Sequence, residues 1–152
     1  ANAARRAQLN ALLAARPALD VQVLDGRSHR AMAAADAVLL ASGTSALEAM
    51  LLKKPMVVAY RTGRITHAVV SRMLRVPYVA LPNLLARREL VPELLQDCAR
   101  VDTLSAAVLR VLGDDGARAE LVAEFEVLHR GLRRQASERA AEALAELITA
   151  SR

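Results

Sequence analysis

The segment of residues 37–50 constrains the fold most, because a short apolar run passes through a glycine turn directly into a helix-forming stretch. Residues 37–41 predict a buried strand, and Ser42, Gly43 and Thr44 predict the turn from which a helix begins. Backbone N–H groups in the first turn of a helix have no internal partner, and the helix dipole adds about half a positive charge there. This junction therefore predicts an anion-binding site.

Glu48 adds a carboxylate one helical turn after Thr44, on the same side of the predicted helix. A carboxylate beside an anion site suits a sugar nucleotide, because the amides can bind the diphosphate and the carboxylate can bind the ribose. A second interpretation stays open. Ser45 and Glu48 also match the capping box, in which the two residues satisfy each other's backbone N–H groups.

The length of 152 residues indicates one ordinary domain or a large part of one. Its core would be Leu, Val and Ala, since 54% of residues are hydrophobic and only 2% are aromatic. No apolar run reaches the roughly 18 residues that a membrane-spanning helix needs. The single cysteine, Cys98, excludes an internal disulfide and favours a reducing, cytoplasmic compartment.

The net charge of +5 favours anionic partners, namely phosphorylated small molecules, an acidic membrane surface or nucleic acid. Nucleic acid is not expected, because one Phe and two Tyr residues provide no stacking platform for single strands. Neither an Asp-x-Asp motif nor a histidine cluster points to a bound metal ion.

Short apolar runs alternate with helix-forming segments through the first half of the chain. Continuous apolar strands of this kind are typical of a parallel sheet that is covered on both faces. The sequence therefore predicts an α/β fold with a Rossmann-like parallel sheet and flanking helices. The predicted strands are residues 21–24, 37–41, 56–60 and 77–81, and the predicted helices are residues 2–16, 28–35, 45–52 and 65–74.

Parallel strands place the turns that follow them at one edge of the sheet, where open α/β sheets bind ligands. We expect Arg61 and Asn83 to join the 42–44 turn there. Arg61 suits a bidentate contact with a phosphate, or it simply closes the end of its strand. Asn83 suits a sugar hydroxyl or the uridine, or it forms an Asx turn after Pro82.

Residues after Arg88 predict helices only, over 90–96, 102–112, 114–132 and 137–150, with Asp102 and Ser137 as N-caps. Charge density rises at about Gly113, and the last two helices are amphipathic. We therefore predict a Rossmann-like nucleotide-sugar-binding domain over residues 1–112, incomplete at its N-terminus. Residues 113–152 would be C-terminal helices that pack on another domain or subunit.

Several motifs occur together, in order, at characteristic spacings. They are Ser-Gly-Thr at 42–44, Pro-Met-Val-Val-Ala-Tyr-Arg at 55–61, Leu-Pro-Asn-Leu-Leu-Ala at 81–86 and Val-Pro-Glu-Leu-Leu-Gln at 91–96. With these motifs, the chain resembles the C-terminal half of the bacterial lipid-A-disaccharide synthases, which are glycosyltransferases of the two-Rossmann-domain type.

The resemblance implies transfer of 2,3-diacylglucosamine from its UDP donor to 2,3-diacylglucosamine 1-phosphate, which gives lipid A disaccharide 1-phosphate and UDP. This chain would supply the UDP-binding half, with Ser42, Gly43, Thr44 and Ser45 at the diphosphate and Glu48 at the ribose. The catalytic residues would lie outside it, and no cofactor is implied. The resemblance also implies a cytoplasmic protein that is peripheral on the inner membrane, and a homodimer through the C-terminal helices is expected.

The chain departs from the family pattern in three ways. Arg87 replaces the glycine that follows Leu-Leu-Ala, which predicts a changed loop. The 62–74 region is less aromatic, although its apolar stripe still fits either a lipid surface or core packing. The N-terminal domain and a Pro-Gly-Ser-Arg phosphate loop are absent, so we expect these 152 residues to be inactive alone. Two alternatives stay open: another UDP-sugar transferase or epimerase domain, and a non-catalytic α/β assembly module.

Overall fold

The computed structural model describes residues 3–41, 43–63, 77–133 and 136–150. Their fold is α/β, with a parallel sheet flanked by helices and further helices at the C-terminal end. The strands are β1 (Val38–Leu40), β2 (Met56–Tyr60) and β3 (Glu93–Leu95). The helices are α1 (Ala3–Ala14), α2 (Ser28–Ala34), α3 (Thr44–Leu51), α4 (Leu81–Ala86), α5 (Val101–Gly113), α6 (Asp115–Leu132) and α7 (Ala136–Ala150), with a 3-10 helix at Gln96–Cys98.

The three strands form one parallel sheet in the order β1-β2-β3. Leu40 pairs with Val58, and Tyr60 pairs with Leu95. Because the strands are parallel, their carboxyl ends lie at the same edge of the sheet. The predicted fold class is therefore confirmed, and the edge that follows β1, β2 and β3 is the place to look for a ligand.

β2 is buried on both faces, as its continuous apolar sequence predicts. Met56 and Val58 belong to the main core cluster, whereas Val57 points to the opposite face by the alternation of a strand. All three are at most 1% exposed. The α3, α4 and α6 helices pack on one another, and α5 contacts β2.

The α6 helix packs within the domain, because its Phe125 is fully buried in the core cluster with Met50 and Val91. By contrast, Leu144 and Ile148 of α7 are about 60% exposed. The division of the chain at residues 112 and 113 stays a prediction. What the packing adds is that α6 forms part of the core of the sheet domain.

Two predicted strands are wrong. Residues 21–24 have no strand structure, and Val21 and Leu24 are exposed, because no strand of the described sheet lies beside them to complete a ladder. Residues 77–81 lead instead into α4. The backbone N–H groups of Val79 and Ala80 donate to the carboxylate of Glu93, both at 2.9 Å, and not to a neighbouring strand.

The predicted helix over residues 90–96 is also wrong, and so is the expectation that no strand follows Arg88. β3 forms there and pairs with β2 through Val58 and Glu93. Asp102 is not an N-cap, since α5 begins at Val101 and Arg100 precedes it. Asp114 caps α6, because its side chain accepts from the backbone N–H of Ala117 at 2.9 Å.

The remaining helices and strands among the described residues are confirmed to within two residues at each end, a range in which helix boundaries are ordinarily ambiguous. The α7 helix begins at Ala136, one residue before the predicted cap. The helix predicted over residues 65–74 lies outside the described residues, as does Ser42.

Candidate functional site

Gly43 makes the connection between β1 and α3. It precedes the first helical residue, with φ 117° and ψ −155°. That combination is essentially restricted to glycine. A Cβ at this position would meet no atom within 4 Å. Glycine is therefore required by the backbone conformation and not by a lack of space. The predicted strand–glycine–helix junction is therefore present.

The first turn of α3 has no capping box. Gly43 occupies the N-cap position, and no side-chain cap is found among the described residues. Ser45 lies one residue inside the helix, and its hydroxyl donates back to the carbonyl of Ala41 at 3.4 Å. A capping box would need a partner at the third helical position, which is Ala46. Among the described residues, Glu48 does not accept from the backbone N–H of Ser45, which is the contact that the Ser45–Glu48 alternative requires.

Thr44 and Glu48 are both exposed and lie one helical turn apart on α3. Within the described part of the chain, the Glu48 carboxylate forms neither a hydrogen bond nor an ion pair. Judged from the described residues, the helix start consequently presents amides without a side-chain cap and, one turn further on, a carboxylate without a partner. Amides can bind an anion, and a carboxylate can accept hydrogen bonds from hydroxyl groups.

Arg61 follows β2 directly and is exposed. Since β1 and β2 are neighbours in a parallel sheet, the turn after β1 and the position of Arg61 lie at the same edge. The structure thus brings Gly43, Thr44, Ser45 and Glu48 to this edge with Arg61. Ser42 belongs to the same turn but lies outside the described residues.

Asn83 lies elsewhere, on α4, where its side chain is fully buried against the segment that leads into β3. Its Nδ2 donates to the carbonyl of Val91 at 2.9 Å and to Oε1 of Glu93 at 2.8 Å. Its Oδ1 accepts from the backbone N–H groups of Leu90 and Val91 at 2.8 and 2.9 Å. These four hydrogen bonds use both N–H donors and both acceptor positions of the amide. Contact of Asn83 with a nucleotide therefore stays a prediction, and this arrangement does not support it.

Gln96 lies at the same edge, whereas the sequence predicted it as the last residue of a helix over residues 90–96 and not as a ligand. It follows β3 directly, has a left-handed φ of 49°, and its Oε1 accepts from the backbone N–H of Thr62 at 3.3 Å. The signal was present in the sequence, because the apolar pair Leu94-Leu95 precedes it. Interpreting residues 90–96 as a helix hid that strand end.

The arginines near the edge differ in their partners. Arg100 is engaged by Asp102, with Nε and Nη2 donating to the two carboxylate oxygens at 3.2 and 2.9 Å. These hydrogen bonds lower the pKa of Asp102 and raise the pKa of Arg100, and the charge of each group reinforces the effect. Arg61 has no acidic partner among the described residues, so its charge is available to an anion.

The described residues contain no group of three or more His, Cys, Asp and Glu side chains placed to hold a metal ion. A hollow of about 240 Å³ opens beside Pro55 and Pro92. These prolines directly precede β2 and β3, so the hollow lies at the end of the sheet opposite the candidate site. None of the described helices has the length and apolar character needed to cross a membrane.

Comparison with known proteins points to one family. Residues 1–147 match the model of the family described as lipid-A-disaccharide synthetase. The chain is 53% identical over 148 residues to the lipid-A-disaccharide synthase of Pseudomonas entomophila (strain L48). It is 52% identical to those of Pseudomonas putida (strain W619) and Pseudomonas aeruginosa (strain LESB58).

Each of these alignments covers 97% of this chain but 38% of the relative. The chain therefore spans well under half the length of the relatives that it matches. The resemblance that the motifs indicated is confirmed across nearly all of its residues. On this sequence similarity and the α/β fold that accompanies it, the chain belongs to the lipid-A-disaccharide synthetase family.

Proposed function

We propose that this chain is the donor-nucleotide-binding part of a lipid-A-disaccharide synthase. The observation that carries the proposal is the start of α3, at the carboxyl edge of the sheet that Arg61 shares. Among the described residues, the amides there have no side-chain cap and the Glu48 carboxylate has no partner. The amides and Arg61 suit an anion, and the Glu48 carboxylate suits hydroxyl groups beside it. A nucleoside diphosphate sugar contains both.

In the proposed complex, the amides after Gly43 and the Arg61 guanidinium bind the diphosphate. The Glu48 carboxylate accepts hydrogen bonds from the ribose hydroxyls. As the bond between the sugar and the diphosphate breaks, negative charge grows on the departing UDP. Amides and a guanidinium that are already oriented stabilise this charge without reorganisation, which is the electrostatic contribution that often dominates such catalysis.

The reaction we propose moves 2,3-diacylglucosamine from its UDP donor to 2,3-diacylglucosamine 1-phosphate. It releases UDP and forms lipid A disaccharide 1-phosphate. The acceptor site and the catalytic base would be supplied by the part of the relatives that this chain does not match, which is why we expect no turnover from these residues alone. Names of the relatives and the family match support this assignment.

We further propose a cytoplasmic enzyme that works at the inner-membrane surface as a homodimer. The net charge of +5 supports attraction to anionic lipids. The exposed Leu144 and Ile148 of α7 support contact of that helix with another surface, such as a second subunit.

Calorimetric titration of UDP at low salt tests the donor site. We expect the parent chain to bind UDP, and Glu48→Ala to weaken binding by about 1–3 kcal/mol, as for loss of a hydrogen bond to a charged group. Glu120→Ala is the matched control, because Glu120 is an exposed glutamate on α6. It lies beside Leu90 and Leu121, which line the hollow at the opposite end of the sheet. Glu120→Ala should leave the affinity unchanged.

The outcomes separate the alternatives. Equal binding by the parent and Glu48→Ala would leave an anion site but remove Glu48 from it. No binding of UDP by the parent would contradict the donor-site proposal for this chain and favour an assembly role. Removing a negative charge strengthens general attraction to the anionic UDP, so a charge effect would not weaken binding. Binding that weakens equally in Glu48→Ala and Glu120→Ala would therefore indicate a general loss of the folded domain instead of the loss of a ribose contact.

A further inference from the structure

Gln96 has an unusual backbone conformation for its position. Its φ of 49° lies in the left-handed region, which costs a non-glycine residue about 1–2 kcal/mol. Such conformations persist only where the surroundings hold them, and they cluster at functional sites. Gln96 also follows β3 at the edge where the nucleotide is proposed to bind.

The side chain of Gln96 replaces a missing hydrogen bond of the sheet. The backbone N–H of Val58 donates to the carbonyl of Pro92 at 2.9 Å, and such bonds in a parallel ladder recur every two residues. A continued ladder would join the N–H of Thr62 to the main-chain carbonyl of residue 96. Because the left-handed turn ends the strand, Oε1 of the Gln96 side chain accepts from Thr62 instead, at 3.3 Å.

Arg61 lies between Tyr60, which pairs with β3, and Thr62, whose backbone N–H donates to Gln96. Tyr60 is the last residue of β2 and pairs with Leu95, so one further step of the same register places Arg61 beside Gln96. The N–H that Gln96 holds belongs to the residue directly after Arg61. The hydrogen bond therefore extends the ordered backbone of β2 past its last ladder pair and through Arg61, whose guanidinium has no acidic partner in the described part of the chain.

We propose that Gln96 is a positioning residue that holds the backbone of Arg61 and Thr62 in place at the nucleotide-binding edge. It acts through Arg61 and does not touch the nucleotide. This inference rests on the proposed function, since it assigns Gln96 a part in diphosphate binding.

Gln96→Gly is the informative variant, because glycine accepts the left-handed φ while removing the acceptor. We expect its UDP affinity to fall about 3- to 10-fold, the range that corresponds to loss of one hydrogen bond. In an Arg61→Ala background the same change should cost less than about twofold, because residues that act through one another are not additive. Arg87→Gly is the matched control: it also relieves a left-handed φ, of 57°, but should leave UDP affinity unchanged.

Amide hydrogen exchange at Thr62 gives a second measurement that needs no nucleotide. We expect faster exchange in Gln96→Gly and restored protection in Gln96→Glu, whose side chain keeps an acceptor oxygen. Unchanged exchange in Gln96→Gly would overturn the inference, and so would an equal loss of UDP affinity with and without Arg61. Failure of the parent chain to bind UDP would instead refute the proposed function and the nucleotide part of this inference. The amide exchange of Thr62 would still decide whether Gln96 holds the backbone of Arg61 and Thr62.

Discussion

Asn83→Asp tests the buried hydrogen-bond network between α4 and β3. The substitution preserves the shape of the side chain but replaces its NH2 group with an oxygen. Oδ1 can still accept from the backbone N–H groups of Leu90 and Val91. The other oxygen, however, now faces two acceptors, the carbonyl of Val91 and the carboxylate of Glu93, at positions where the parent has hydrogen bonds of 2.9 and 2.8 Å.

The cost follows from those contacts. The carbonyl of Val91 loses the Asn83 donor, whereas Oε1 of Glu93 keeps the backbone N–H of Ala80 but faces a second carboxylate. A buried acceptor left without a donor costs about 1–3 kcal/mol. Protonation of the new carboxyl group would restore one hydrogen bond. Keeping that proton at neutral pH has its own cost, which is about 1.36 kcal/mol for each pH unit above the unperturbed pKa of about 3.9. We therefore expect a loss of about 3–5 kcal/mol in the free energy of unfolding. For a chain of this size that corresponds to a fall in Tm of roughly 10 °C.

Thermal and denaturant unfolding measure the effect. Asn10→Asp is the control, because Asn10 is exposed on α1 and the same chemical change there should alter Tm little. The pH dependence gives a second check. Burial beside Glu93 raises the folded-state pKa of the new carboxyl group above its unfolded value, so the penalty should be small near pH 4 and grow as pH rises towards that higher pKa. At pH 7 we expect the full loss in the free energy of unfolding. A Tm within about 2 °C of the parent at that pH would refute the reasoning.

Three further changes test other parts of the structure. Arg87→Gly should raise stability by about 0.5–1 kcal/mol, because Arg87 is exposed with a φ of 57° and glycine adopts that conformation without strain; a lower Tm would contradict this. Phe125→Ala should cost about 3–5 kcal/mol in denaturant unfolding, since the ring is fully buried; a cost below about 1 kcal/mol would show that α6 does not seal the core. The Asp102 carboxyl should titrate below its ordinary pKa by NMR, and Arg100→Gln should raise that midpoint; an unchanged midpoint would exclude the hydrogen bonds from Arg100 as the cause.

Elements with local signals were predictable from the sequence. β2 was placed at residues 56–60 because an apolar run stands between Pro55 and Arg61, and the described strand has the same bounds. The start of α3 was placed from Gly43. Helices need only their own residues for their backbone hydrogen bonds, so periodicity and terminal residues locate them well.

Elements that depend on a distant partner were not predictable. Residues 77–81 form an apolar run as convincing as that of β2, yet two of their amides bind Glu93, which lies thirteen or fourteen positions further along the chain. β3 is three residues long and begins with that same glutamate. Nothing local in a run this short separates a strand from a helix.

The site shows the same division. Gly43, Thr44, Ser45 and Glu48 could be assigned from one continuous segment, and the structure places them on the start of α3. Asn83 could not be placed, because its four hydrogen bonds go to residues seven to ten positions away. The replacement of the family glycine by Arg87 had suggested a changed loop, but Arg87 keeps a left-handed backbone that glycine would also adopt.

The separation between the candidate edge and the core bears on how this domain can evolve. Thr44, Glu48 and Arg61 are exposed, whereas the residues that hold the sheet and helices together, such as Val58 and Phe125, are buried. Substitutions at the three exposed positions remove little buried surface, so selection can alter ligand preference there without first finding compensating changes in the interior. A library randomised at these positions should consist mostly of folded proteins, and its members should differ chiefly in what they bind.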